Sequence, residues 1–217
     1  MPDEIRVRVA LTSFIADGAL DADLAALLWI LTERGVPLVV AADDAAAARS
    51  LRDSLADLLP ADRRSGDVRL AGGVVAGSSL DDVLHLLGGR PGGDLPDDVR
   101  DLGLVVVLVG GRVTAAHYVR PVERDGAGHL QRRPPAVLSA RERVGDSLDH
   151  FYWSITDELA TRAGMTRDEL EDVQSVRARL LNDLVAAGLS DDASLRRIAQ
   201  QASLSTTASH QDDRRPH

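Results

Sequence analysis

Four kinds of side-chain grouping in this 217-residue chain could do chemistry: an acidic pair, scattered histidines, a basic loop and an aromatic triplet. Asp43 and Asp44 follow the apolar run Val36 to Ala41 and precede an alanine-rich stretch. Such a junction is where a helix N-terminus offers unpaired amides, to be met by an anion or by capping carboxylates. Capping is the plainer reading for Asp43 and Asp44, because no other ligand spacing converges on them to hold a metal. His117 lies in the alternating stretch Arg112 to Arg120, and His85, His129 and His150 stand apart from it. An imidazole works as a general base only beside a reacting hydroxyl or an orienting acid, and spacing identifies neither, so these histidines read as structural or surface groups. Arg132-Arg133-Pro134-Pro135 is a stiff basic loop that reads as a solvated turn rather than an anion site. Phe151-Tyr152-Trp153 holds half of the aromatic residues and reads as a packing anchor for the helices that follow, with an exposed binding patch as the alternative.

What is missing narrows the chemistry further. Cysteine is absent, which excludes disulfides, thiolate nucleophiles and thiolate metal sites. Lysine is absent too, all 25 basic residues being arginine, so neither Schiff-base chemistry nor a lysine-dependent phosphate loop is available. The formal net charge is −9, a field that repels polyanions and argues against nucleic-acid binding. At 44% hydrophobic residues and without an apolar run of about 18 residues, the chain reads as globular rather than membrane-inserted. The start Met1-Pro2-Asp3-Glu4 has no basic n-region, and a cytoplasmic location is expected.

The elements that must position these residues follow from periodicity. Ile5 to Val9 alternates apolar with charged, as a half-buried edge strand does. Asp21 is placed to cap a helix whose Leu24, Leu27, Leu28 and Leu31 form one core face before Gly35 ends it. Val36 to Ala41 fits a strand buried on both faces of a parallel sheet, and Leu51, Leu55 and Leu58 or Leu59 stripe the following helix, from Ala45 to Leu59. Pro60 breaks it. A second buried strand runs through Val68 to Val75, and Leu80 to Leu87 forms a helix capped by Ser78 or Ser79. A short helix fits Leu95 to Leu102. Leu104 to Val109 and Arg112 to Arg120, joined by Gly110-Gly111, read as an antiparallel hairpin, and Val137 to Arg141 with Leu148 to Trp153 as another around Gly145-Asp146. From Thr156 the pattern turns helical: one helix ends near Gly164, a capping box at Thr166 opens a longer one to Ala187, and Asp191 and Asp192 open a last one. The domains expected are therefore an α/β domain over 1–155, a helical region over 156–202 packed on it, and a flexible tail over 203–217.

The run from Leu24 to Ala41, a helix leading into a buried strand, resembles the type II/type IV secretion and pilus-assembly ATPases, whose RecA-like core carries a helix before its phosphate loop. Laying G-x-x-x-x-G-K-[S/T] on the next residues puts Ala42 and Ala47 at the glycines, Ala48 at the lysine and Arg49 at the hydroxyl residue, so none of the four is kept. Val74 to Leu84 is similar to the family's strand bearing Thr-x-His-Ala, with Gly77 near the histidine position. Leu104 to Val119 is similar to its terminal strands, and Arg177 to Leu184 with Gly188 and Asp191 to its C-terminal helices. Between Pro60 and Val68 there is too little chain for the acidic-box and Walker B strands, so a central portion of that core is missing.

The resemblance implies a reduced RecA-like, P-loop NTPase-like α/β sheet with appended antiparallel strands and C-terminal helices. Its phosphate-loop remnant would be Ala42, Asp43, Asp44, Ala47, Ala48 and Arg49, with no catalytic residue, no metal and no cofactor. The function expected is a non-catalytic pseudo-ATPase, a structural, regulatory or assembly partner in a secretion or type IV pilus machine, bound to another protein or to a second copy of itself. Two alternatives stand beside it: a nucleotide-binding module or ATPase in which arginines and helix termini replace the lost loop, and a small-ligand sensor built around an apolar pocket.

Overall fold

The first buried strand, β1 (Leu38–Ala42), carries no polar side chain, and all five residues are inaccessible to water. A strand of that kind needs cover on both faces, which a parallel neighbour and its crossover helix provide. The structure is a computed structural model that describes residues 10–59, 74–88, 101–127, 129–131 and 133–188. The expected strand at Ile5 to Val9, the first part of the Val68 to Val75 strand, residues 95–100 of the expected short helix, the helix at Asp191 and the 203–217 tail lie outside the described residues.

The described elements run α1 (Leu11–Ala16), α2 (Ala22–Glu33), β1, α3 (Ala45–Asp57), β2 (Val74–Ala76), α4 (Leu80–Gly88), β3 (Gly103–Val109) and β4 (Arg112–Val119). After them come β5 (Glu123–Arg124), β6 (Leu130–Gln131), β7 (Ala136–Ala140), β8 (Asp149–His150), a 3₁₀ turn (Tyr152–Ile155), α5 (Thr156–Ala163) and α6 (Arg167–Ala186). Six strands form one mixed sheet in the order β2-β1-β3-β4-β7-β8, and β5 pairs β6 separately. The chain is therefore an α/β fold: β2, β1 and β3 are parallel, and β4, β7 and β8 extend the sheet antiparallel.

Two glycine sites make the strand changes possible. Gly110 and Gly111 both have positive φ, 57° and 75°, as a two-residue hairpin turn of the right twist demands, so β3 turns straight into β4. Gly103 has φ 58°, and a Cβ there would lie 2.5 Å from the carbonyl oxygen of Pro37; the bare backbone lets the Leu104 amide reach that oxygen at 2.7 Å.

The two faces of the sheet are covered differently. On one, Leu38, Val40, Leu104, Val106, Leu108, Val113, Ala116 and Tyr118 join a large cluster with α1, α2, α3, α5 and α6. On the other, Val39, Ala41, Val75, Val105 and Val107 pack with Val83, Leu80 and Leu84 of α4. A β-bulge interrupts β7: successive β4 residues Ala116 and His117 pair with Ser139 and Val137, leaving Leu138 as the extra residue, and both Leu138 and Ser139 are buried.

α2 departs from the one-faced helix expected of it. Every residue from Leu24 to Thr32 is buried, because α6 packs against α2 in the same cluster as the sheet and leaves no side open to water. Its cap is as expected: the Asp21 carboxylate accepts from the Leu24 amide at 2.9 Å. The capping box at Thr166 and Glu169 also forms, and Gly164 closes α5 in the left-handed conformation. No helix among the described residues is long and apolar enough to cross a membrane.

The aromatic triplet corrects an expectation. Trp153 is 64% exposed and Phe151 41% exposed; only Tyr152 packs against the core, so the anchor for the C-terminal helices is apolar contact from Leu159, Ala160, Leu170, Ala178, Leu181 and Leu184 instead. The cause is local. Thr156 accepts the chain into α5 by donating its hydroxyl to the carbonyls of Tyr152 and Trp153, and the tight turn this makes can send only one of three successive rings inward.

Candidate functional site

In open parallel sheets, ligands bind beyond the carboxyl ends of strands where the connections diverge to opposite sides. Here that point lies between β1 and β3: α3 leaves β1 for β2 on one side, and α4 leads from β2 back past β1 to β3 on the other. Only Asp43 and Asp44 separate β1 from α3. The Asp44 carboxylate accepts from the Ala46 amide at 2.8 Å and caps α3. Asp43 accepts from the Asp44 amide at 3.0 Å and, across the divergence, from the Gly110 amide at 3.1 Å. These amides point where an anion would need them, and each is already met by a carboxylate.

The remaining positions of the phosphate-loop remnant are helical or buried. A G-x-x-x-x-G-K spacing starting at Ala42 needs irregular backbone through residue 47, but α3 begins at Ala45. No non-glycine residue among those described has positive φ, so no nest of converging amides forms there. Ala42 and Ala48 are buried at 1% and 0% exposure, Ala47 is partly buried against the core, and Arg49 is exposed. The structure therefore keeps Ala42, Asp43, Asp44, Ala47, Ala48 and Arg49 together as a tight strand-to-helix turn closed by its own acids.

Beside this turn is a cavity of about 370 Å³ lined by Phe14, Asp17, Ala47, Ser50, Gly111 and Arg112. Its arginine is committed: Arg112 Nη1 donates to the Gly18 carbonyl at 2.9 Å. Arg141, just after β7, donates to the Gly18 and Val113 carbonyls at 2.9 and 2.7 Å, and burial together with Arg112 pushes it below the usual arginine value. The two guanidiniums tie the α1–α2 loop to β4 and β7.

The strongest grouping of reactive types is one that spacing did not expose. Ser139 Oγ lies 2.8 Å from His150 Nδ1, and His150 Nε2 lies 3.0 Å from Asp21 Oδ2. These are the components of a nucleophilic triad, but Ser139 has no exposed surface and no substrate can reach its hydroxyl. Asp21 meanwhile caps α2 with its other oxygen. The chain is a fastener between the β7–β8 hairpin and the start of α2. Its one legible hint was the hairpin around Gly145-Asp146, whose pairing sets Ser139 opposite His150; Asp21, far back in the chain, gave none.

The fastener predicts a pH dependence. The hydrogen bond that His150 donates to the Asp21 carboxylate, helped by the charges of Asp21, Asp23 and Asp149 and opposed by burial, raises His150 above its ordinary 6.5. A raised histidine stabilises the fold fully below its unfolded value and loses that contribution as pH rises through its folded value. His117, pushed down by burial against the pull of Asp81 on α4, has the reverse slope, so the comparison must be made within one background. The melting-temperature gap between the protein and His150→Gln is expected to be widest below about pH 6.5 and to shrink above it. A gap that widens with pH would contradict the assignment.

The other singled-out groups stay apart. His117 sits on β4 on the α4 face; His129 is exposed beside Asp125 at 3.3 Å; Arg133 pairs with Glu123 at 3.1 Å. Among the described residues no three His, Asp or Glu side chains converge on a metal position. No family model matches the chain, and no curated protein matches it either.

Proposed function

We propose that this protein is a non-catalytic binding module: a pseudo-ATPase-like α/β domain that acts as a structural, regulatory or assembly partner of another protein. The observation that carries the reading is the Asp43 bridge from the end of β1 to the Gly110 amide beyond β3, with Asp44 capping α3. Carboxylates there satisfy the amides, favour the helix dipole and repel a phosphate. The chain has no lysine to offset that charge. The link to secretion and pilus-assembly ATPases rests on the sequence resemblance of residues 24–41 and 74–84, and it gives the class of machine in which such a partner would serve.

Titration calorimetry with Mg-ATP tests the reading directly. No saturable heat is expected, and a site tighter than about 10 μM would overturn it in favour of a nucleotide-binding module. Asp43→Asn and Asp43→Ala, which remove the competing charge, are expected to leave ATP unbound too, since the helix still starts at Ala45 and offers no cradle.

A further inference from the structure

We infer that the cavity beyond the carboxyl ends of β1 and β3 is a binding site for a small zwitterion, a free amino acid with an apolar side chain. The inference goes beyond the partner reading and does not depend on it. The cavity, about 370 Å³, lies where the α1–α2 loop, the first turns of α3 and the β3–β4 turn meet, with Asp17, Ala47, Ser50 and Arg112 in its lining. This is the place where an open sheet with diverging connections takes a small ligand.

Arg112 supplies the anion-binding half. Its bond to the Gly18 carbonyl at 2.9 Å uses Nη1 alone, which fixes the guanidinium and leaves the Nε–Nη2 edge without a partner among the described residues. That edge grips a carboxylate through two parallel bonds. In this same chain Arg120 uses it to hold Glu158, at 2.7 and 2.8 Å. Arg141 adds charge of the same sign: it also donates to Gly18, and Arg112 is near enough to depress it. Asp21 and Asp146 act on Arg141 only from beyond ion-pair distance, so the two guanidiniums stand together on backbone carbonyls with no ion pair among the described residues. A carboxylate on the free edge of Arg112 offsets that repulsion.

Asp17 supplies the other half. It lines the same cavity, is exposed, and forms no ion pair with Arg112, so both charges stay available with a gap between them. A ligand carrying a carboxylate and an ammonium spans such a gap and brings no net charge. A phosphate would meet Asp17 as well as Asp43 and Asp44 and gain no cation beyond Arg112 and Arg141. Phe14, 8% exposed, and Ala47, packed against the same cluster, give the cavity an apolar wall for the side chain of the ligand.

Calorimetry and thermal melting of the full chain with L-leucine, L-methionine and L-valine test the site. Saturable binding at about 1 mM or tighter by at least one of them is expected, with a matching rise in melting temperature. The deaminated acid and the decarboxylated amine of the tightest binder, for leucine 4-methylpentanoate and 3-methylbutylamine, are each expected to bind at least about tenfold more weakly. Asp17→Asn, an exposed change, is expected to weaken the amino acid about tenfold and leave the affinity of the acid unchanged. Ala47→Leu, which fills the cavity and keeps both charges, is expected to abolish binding. No binding by any of the three up to about 10 mM, or an analogue that binds as tightly as its amino acid, would overturn the inference. Unchanged affinity in Asp17→Asn would remove the ammonium half, and unchanged affinity in Ala47→Leu would put the ligand outside this cavity; either result sinks the site as assigned.

Discussion

Ala48→Lys is expected to destabilise the protein by at least about 3 kcal/mol, and to leave it unfolded if its total stability is modest. Ala48 is wholly buried and sits in the apolar cluster with Leu51, Leu55 and the inner face of β1. A lysine there adds three carbons and an ammonium to packed apolar space, so overpacking and charge desolvation act together. The result decides what the turn is. In a phosphate loop the equivalent position must reach into the anion site, so a lysine would be tolerated and could even recruit a ligand. Here the position belongs to the core. The other three changes that would rebuild the motif are far milder: Ala42→Gly and Ala47→Gly each cost about 0.5 to 1 kcal/mol through backbone freedom, and Arg49→Thr, on the surface, stays within about 0.5 kcal/mol. Urea unfolding of the four single variants measures the contrast. An unchanged midpoint for Ala48→Lys would mean that its ammonium escapes to water and that the turn opens more easily than its hydrogen bonds indicate.

That contrast also marks where the sequence was legible. β1 and β3 were readable because a strand buried on both faces must be apolar throughout, and both hairpins because Gly110-Gly111 and Gly145-Asp146 are turn chemistry. Caps at Asp21 and Thr166 were local, so they too could be read. What could not be read depends on layers and long-range pairs. The all-round burial of α2 requires α6 as a second cover, although its residues suggest only one core face. Trp153 faces outward because of a turn set by Thr156, against a strong hydrophobic expectation. The Asp43–Gly110 bridge and the Ser139–His150–Asp21 fastener join residues that no periodicity relates. Asp44 caps α3 as its position suggested, but Asp43, read as a second cap, instead makes the bridge that seals the sheet divergence, and that came from the fold.

The second large effect is expected where α6 meets α2. Arg177 and Glu33 form an ion pair whose side chains are 7% and 14% exposed, and the guanidinium lies 4.1 Å from the centroid of the buried Trp29 ring. Trp29 and Glu33 are one turn apart on α2, so a single arginine from α6 stacks on one and pairs with the other. Burial pushes Arg177 below the ordinary arginine value while Glu33 pulls it back up, which is the balance of a charge kept inside by its partner. Truncating it removes the stacking and takes the guanidinium away from a carboxylate that is itself largely out of water. Arg177→Leu is therefore expected to cost about 3 to 5 kcal/mol. If the cost comes from the broken ion pair, adding Glu33→Leu should return much of it, because an apolar pair in the same space avoids desolvating either charge. If it comes from the lost packing on Trp29, the double variant should be no better than the single. A double-mutant cycle by denaturant unfolding separates the two, and the strongly buried charge predicts the first: destabilisation in the double variant well below the sum of the singles. Near-additive costs would instead make Arg177 a packing residue that happens to carry a charge, with the hold of α6 on α2 due to Leu170, Ala178, Leu181 and Leu184.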